Sequence, residues 1–220
     1  ATGRLLPYPS ETNDIVDLGW EGAWLDQRLR ASITGFASRW NYRQLRVDLP
    51  TEQAYLIVNA GRARAHGAEL ELRYEHDDRW RTWLTLGWQK TRFDAFAVAL
   101  PGGSFDLAGK HFVGAPECTL GLGAQVVLGG GWDLRASLWH ASGAFSDPLN
   151  AEEGRRPAHT LLDAALRWQA RPGLQFELQG GNLLDADYLE DVRIAGVQRT
   201  PREFVVGEPR SLSLALIWEF

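Results

Sequence analysis

The chain has 220 residues with 28 acidic and 23 basic side chains, a net charge of -5, a mean hydropathy of -0.27, one cysteine and ten tryptophans. Singly scattered basic residues leave no nucleic-acid footprint, the lone Cys118 excludes an internal disulfide, and no run of about 18 apolar residues could cross a membrane as a helix. A β-barrel escapes that last test, because half of each strand faces water and the mean hydropathy stays unremarkable.

The opening "ATGRLLPYPSETNDIV" has no basic n-region followed by an apolar core, so it is not a signal peptide. From there a two-residue beat sets in. Val16, Leu18, Trp20, Gly22 and Trp24 alternate with Asp17, Gly19, Glu21 and Ala23, and after "LDQ" Leu29, Ala31, Ile33 and Gly35 alternate with Arg28, Arg30, Ser32 and Thr34. Side chains leave a strand on opposite faces in turn, so this reads as a hairpin with one apolar face. Ala68, Leu70, Leu72 and Tyr74, then Thr82, Leu84, Leu86 and Trp88, give a second hairpin around "EHDDR"; Glu69, Glu71 and Arg73 take its opposite face. A third follows from Cys118, Leu120, Leu122, Ala124, Val126 and Leu128, through "GGG", to Trp132, Leu134, Ala136 and Leu138. The fourth joins Leu162, Ala164, Leu166 and Trp168 to Leu174, Phe176 and Leu178, and "SLSLALIWEF" ends the chain with Leu212, Leu214, Leu216, Trp218 and Phe220 on one face.

That makes nine strands, whose connections alternate between short (near 25–27, 75–79, 129–131 and 169–172) and long (near 43–62, 93–115, 143–157 and 185–207). Tight turns at one rim and long loops at the other are the mark of an outer-membrane barrel, whereas soluble sandwiches seldom separate their loops so cleanly. Trp24, Trp80, Trp132, Trp168 and Trp218 all fall beside a short turn or the carboxyl terminus. An indole prefers the headgroup level, so these five predict an aromatic girdle at one rim. The expected fold is all-β: an antiparallel transmembrane β-barrel segment of about nine strands with Cys118 as a buried or lipid-facing spectator.

Four stretches resemble one family, the TonB-dependent outer-membrane receptors. "NAGRARAHGAELEL" from Asn59 is similar to the family's N-x-G-x-A-x-x-x-G-x-E strand opening, and "GAPECTLGLG" from Gly114 to another of its strand openings. "GNLLDADY" from Gly181 resembles x-N-L-F/L-D-x-x-Y, and "GEPRSLSLALIWEF" from Gly207 resembles the closing G-x-P-R strand. The resemblance implies the carboxyl-terminal portion of a 22-stranded barrel, so residues 1–220 are expected to be barrel wall without the plug domain. It further implies energised import of a scarce nutrient such as a ferric siderophore or cobalamin, in a Gram-negative outer membrane. The expected partners are membrane lipid, a metal chelate or similar small ligand, and, through a missing amino-terminal part, the plug and the inner-membrane energy-coupling protein.

For the motif residues the resemblance and local chemistry point to structure: Asn182 and Asp185 turning the backbone where a strand leaves the sheet, Tyr188 anchoring the next loop, Pro209 starting the final strand where a missing N–H is tolerated, and Gly207, Arg210 and Phe220 belonging to that closing motif. Aromatic and Arg residues at the outer strand ends and loops, Trp40, Tyr42, Phe93, Trp139, Phe145, Arg155 and Arg156, could stack on or pair with an anionic chelate. Catalysis finds little support. His66, His76, His111, His140 and His159 lie far apart without metal-ligand spacing, no cofactor is implied, and Ser142, His140 and Asp147 beside one loop read as ordinary loop chemistry. Two other classes fit parts of the pattern: a small pore closed by several copies of the chain, and a soluble β-sandwich carbohydrate binder.

Overall fold

The computed structural model describes residues 10–48, 55–59, 61–100, 103–194 and 201–219. Nine strands form one sheet: β1 (Thr12–Trp24), β2 (Leu29–Asn41), β3 (Arg62–Glu75), β4 (Trp80–Ala95), β5 (Cys118–Gly129), β6 (Trp132–Ala141), β7 (His159–Arg171), β8 (Leu174–Gly181) and β9 (Ser211–Trp218). They lie in chain order and every neighbouring pair is antiparallel. No helix among the described residues is long and apolar enough to cross a membrane.

Partners across an antiparallel ladder share a face, so the register turns nine separate alternations into one surface. Ile33 pairs with Trp20 and Leu70, Leu70 with Leu86, Leu86 with Leu120. On the far side Leu134 pairs with Leu166, Leu166 with Leu178, and Leu178 with Leu214. This face is apolar across the sheet yet uncovered: Leu18 is 81% and Leu214 75% exposed. Removing this much aliphatic surface from water is worth about 25 cal/mol per Å², and with no second layer of the described residues to cover it, the solvent that removes it is lipid. Among the described residues no second sheet covers this row, as a sandwich would require.

The aromatic belt follows the short-turn rim. Trp132 and Trp168 are stacked with centroids 5.4 Å apart, Trp168 and Phe176 lie at 5.6 Å, and Trp20 and Trp24 at 5.4 Å. Tyr74, His76 and Trp80 continue it, at 4.1 and 6.1 Å. Trp218 is paired with Leu174 at the same rim, whereas Phe220 lies outside the described residues.

Short and long connections alternate as the sequence predicts. In the turn at 76–79, the Arg79 and Trp80 amides each donate to Asp77 Oδ1 at 2.8 Å, holding its carboxyl below the usual aspartate range. The long connections are not structureless: they carry two-stranded ladders at Gln44–Asp48 with Tyr55–Asn59, Ala97–Leu100 with Gly103–Asp106, Ala144–Phe145 with Arg155–Arg156, and Leu189–Ile194 with Pro201–Val206. Several sheet strands are longer than the roughly ten residues that a barrel strand needs to cross a membrane, β4 reaching 16, so the pairing extends beyond the membrane-spanning part toward these hairpins. The last strand begins at Ser211, so Pro209 precedes it instead of opening it.

Compactness on the inner face comes from small residues. Gly67 lies opposite Phe36, and a Cβ there would sit 2.3 Å from the Trp88 carbonyl oxygen and 2.7 Å from the Phe36 ring. The glycine of the "A-x-x-x-G-x-E" pattern is therefore a close-approach residue.

Two outcomes check this arrangement. Leu122→Arg, on the lipid face, should lower unfolding stability in lipid vesicles by about 2–4 kcal/mol, while Gln125→Arg on the inner face should change it by less than about 1 kcal/mol. The lowered Asp77 pKa adds turn stability that is present above the ordinary aspartate pKa of about 4 and lost as pH falls through the folded value. Hydrogen-exchange protection of the Arg79 and Trp80 amides should therefore hold at neutral pH and drop only below about pH 4, and Asp77→Asn should remove that pH dependence.

Candidate functional site

The long loops fold over the inner face at their rim and build the one hydrophobic cluster found among the described residues: Ala63, Ala65, Phe93, Phe96, Leu107 and Phe112. Phe93 contacts Phe96 and Phe112 with centroids at 5.6 and 5.0 Å, and Trp40 meets Phe112 edge-on at 5.4 Å. The segment after β4 returns along that strand's free edge: the Phe93 amide donates to the Lys110 carbonyl at 2.9 Å and the Gly109 amide to the Phe93 carbonyl at 2.7 Å. That return places Phe112 over the barrel wall.

Arg43 enters this cluster with its guanidinium 3.6 Å from the centre of the Phe112 ring, 4.9 Å from Trp40 and 5.6 Å from Phe93. Its Nη1 is buried without a hydrogen-bond partner among the described residues. Burial pushes its pKa below the usual arginine range, partly offset by Glu11. A half-desolvated cation among aromatic faces, with donor capacity unspent, is suited to an anionic planar ligand.

A second group lies on the loop after β6. Arg155 stands 5.6 Å from the Phe145 ring and pairs with Glu152 at 3.5 Å; His111 stacks on Phe145 at 6.2 Å. Arg156 donates to the Glu190 carbonyl at 2.6 Å. Reciprocal bonds between His111 and Asn150, at 2.6 and 3.1 Å, and the Gly114 amide on the Phe145 carbonyl at 2.9 Å tie the two loops together.

Of the seven residues proposed from sequence, Trp40 and Phe93 therefore meet in one cluster, and Phe145, Arg155 and Arg156 in another. Phe93 is only 1% exposed, so it shapes the cluster from beneath. Tyr42 stands exposed at φ 55°, and Trp139 lies on the inner face opposite Gly121 and Leu161, apart from both groups. Sequence reading passed over Arg43, Phe96 and Phe112; Phe96 and Phe112 stand 16 residues apart in one long loop, and only the loop's return along β4 brings them together. It also passed over the inner wall nearer the turns. There a recess of about 240 Å³ is lined by Gln125, Asp133, Arg135, Arg167, Glu177 and Gln179, with Arg167 on Glu177 at 3.3 Å and Arg135 over the Trp83 ring at 5.1 Å.

Ser142, His140 and Asp147 each bond to different partners. His140 bonds Thr160 at 2.8 Å, Ser142 Oγ accepts from the Cys118 amide at 3.0 Å, and Asp147 accepts from the Leu149 and Ala151 amides. Cys118 itself is exposed on the lipid-facing side, in register with Trp88.

The two carboxyl-terminal motifs form a single clasp. Asn182 Nδ2 donates to the Ala186 carbonyl at 2.9 Å and to the Glu208 carbonyl at 3.1 Å, while its Oδ1 accepts from the Ala186 amide at 2.9 Å. Asp185 pairs with Arg210 at 3.3 Å. Tyr188 stacks on His159 at 4.8 Å and covers Gly207 so closely that a Cβ there would lie 2.0 Å from its ring. Chain entering the last long loop is thus tied to chain leaving it.

Residues 5–183 match the family model described as TonB dependent receptor-like, beta-barrel. The chain belongs to the TonB-dependent receptor family. Solved structures with the same fold include the ferric yersiniabactin uptake receptor FyuA from Yersinia pestis, at TM-score 0.80 and 19% identity over 98% of this chain and 31% of that one. The siderophore receptor PiuA from Acinetobacter baumannii gives 0.76 and 18% over 94% of this chain and 28% of that one. The copper transporter OprC gives 0.74 and 15% over 96% and 32%. The chain spans about a third of the length of these proteins. Its TonB-dependent receptor sheet is barrel wall of a Gram-negative outer membrane, and its family is one of receptors and transporters.

Replacing Asn182 with Ala removes three side-chain hydrogen bonds at a 5% exposed site. Denaturant unfolding of the Asn182→Ala barrel should show a loss of about 2–4 kcal/mol, with proteolysis appearing first between residues 183 and 210.

Proposed function

We propose that this chain is the carboxyl-terminal wall of a larger receptor barrel that takes up a metal chelate with energy from the inner membrane, and that the chelate is a ferric siderophore. The first and last strands of the sheet, β1 and β9, each have one edge without a strand partner among the described residues. Backbone polar groups in lipid must bond within protein, so those edges call for further strands. The reading therefore includes additional strands, a plug within the barrel and contact between that plug and an energy-coupling protein.

The single observation that carries the ligand class is Arg43 among Trp40, Phe93 and Phe112 at the loop-bearing rim. Ferric chelates present aromatic or carbonyl donors around a cation and carry net negative charge when catecholate oxygens bind the metal, chemistry that a caged guanidinium complements. The names of FyuA and PiuA point the same way, and that of OprC supplies the contrasting cargo.

The test is cellular uptake by strains with and without the complete gene, offered radiolabelled ferric catecholate, ferric phenolate and ferric hydroxamate chelates, cobalamin and copper. Deletion should abolish uptake of one ferric chelate under iron limitation, and Arg43→Ala should reduce its binding by about tenfold or more with barrel assembly intact. Loss of cobalamin or copper uptake alone would overturn the siderophore reading.

A further inference from the structure

The lipid-facing side of β1–β4 changes character above its apolar rows. Arg39 lies directly opposite Arg64, and Arg64 directly opposite Arg92. One step nearer the apolar rows, His66 lies opposite Lys90, and one step farther, Arg62 lies opposite Ala95. All of these share the face of Leu70, Leu86 and Trp88, and Arg39, Arg62, Arg64, His66, Lys90 and Arg92 are exposed. Two acids stand among them: Asp94, which pairs with Arg64 at 3.0 Å, and Asp14, opposite Arg39 in register.

Like charges directly opposite each other on a sheet repel, and with five Arg and Lys side chains against two carboxylates the patch keeps a positive excess. Such a row is stable when an anion sits against it. The strands across the sheet are different: on the same face, the row that holds His140 continues to Leu120 and Thr160. On this face the residues through which β5, β6 and β7 pair with one another include no Arg or Lys.

Height decides which anion it meets. Arg64 is ten residues from Tyr74 and Arg92 twelve from Trp80, the two belt residues on their own strands. At about 3.3 Å per residue and a tilt near 40°, that places the arginines roughly 25–30 Å from the girdle, just past the far edge of an apolar band about 25 Å tall. Headgroups occupy that level. Five cationic side chains there, continuous with a leucine surface below, fit a molecule with phosphates at one end and acyl chains at the other.

We infer that the outward face of β2–β4 is a docking site for a phosphorylated outer-leaflet lipid, its phosphates held by Arg39, Arg64, Arg92 and Lys90 and its acyl chains lying along Leu70 and Leu86. The inference rests on the lipid-facing orientation of the sheet and is independent of which nutrient the barrel carries. A lipid held there braces the tallest strands of the sheet, those from which the aromatic cluster is built.

The experiment uses the complete barrel that carries this chain, in detergent, with native mass spectrometry to count bound lipid. A diphosphorylated glucosamine lipid should bind the unaltered protein at least tenfold tighter than it binds the Arg39→Gln, Arg64→Gln, Arg92→Gln triple variant, in line with attraction of anionic headgroups by each nearby cation. The same lipid without phosphates should lose a similar factor against the unaltered protein. Inorganic phosphate at tens of millimolar should leave the lipid in place, and the triple Lys variant should retain most of the binding. Equal retention by the Gln triple variant, or equal binding of the dephosphorylated lipid, overturns the inference; displacement by low millimolar phosphate reassigns the row to a free anion and overturns it as well. If heat-modifiability on gels shows that the Gln triple variant fails to assemble, single Arg39→Gln and Arg92→Gln variants give the reading, each with a severalfold loss expected and no loss overturning it. Uptake of the ferric chelate is scored separately, so failure here leaves the transport reading standing.

Discussion

Lipid offers no hydrogen bonds to a backbone, and this constraint organises the whole molecule. Each strand that crosses must pair on both sides, which lays the nine crossings side by side in chain order with antiparallel neighbours. Once that order is set, register carries Ile33, Leu70, Leu86 and Leu120 onto one continuous outer surface and Arg135, Arg167 and Glu177 onto the inner one. The apolar face contributes no core in the usual sense. What core the chain has is built where the loops return over the inner face, and it is small and aromatic.

The two rims of the sheet perform different work. At the short-turn rim, tryptophans stack side by side and tight turns satisfy the backbone locally, as Asp77 does for Arg79 and Trp80. At the other rim the connections are long and elaborate: four hairpins, the Asn182 clasp, the aromatic cluster around Arg43 and the outward row of arginines all lie there. Chemistry concentrates where the membrane constraint relaxes. The wall below repeats the alternation of apolar outward and polar or small inward residues.

Motifs that read as strand signatures turn out to be packing devices. Gly67 clears space for the Phe36 ring, and Ala63 and Ala65 lie beneath Phe93 and its neighbours, so the small residues of one motif accommodate the aromatics of another. The asparagine and aspartate of "NLLD" meet the segment "GEPR" through Glu208 and Arg210, although 25 residues separate Asp185 from Arg210. Spacing along the chain showed each pattern, but nothing in that spacing pairs them.

Alternation is a property of a single strand, and for that reason the strand count, the two faces, the short and long connections and the tryptophan belt were all legible from residues alone. The family resemblance was legible for the same reason, its motifs being short and contiguous. Which side chains meet at the outer rim depends on where a loop travels after it leaves the sheet, as the return of residues 107–112 along β4 shows by burying Phe93 and enclosing Arg43. Likewise Arg39, Arg64 and Arg92 are 25 and 28 positions apart and become one row only through register. Local periodicity is written in neighbouring residues; contacts between distant ones are decided by how the strands pair and the loops fold back.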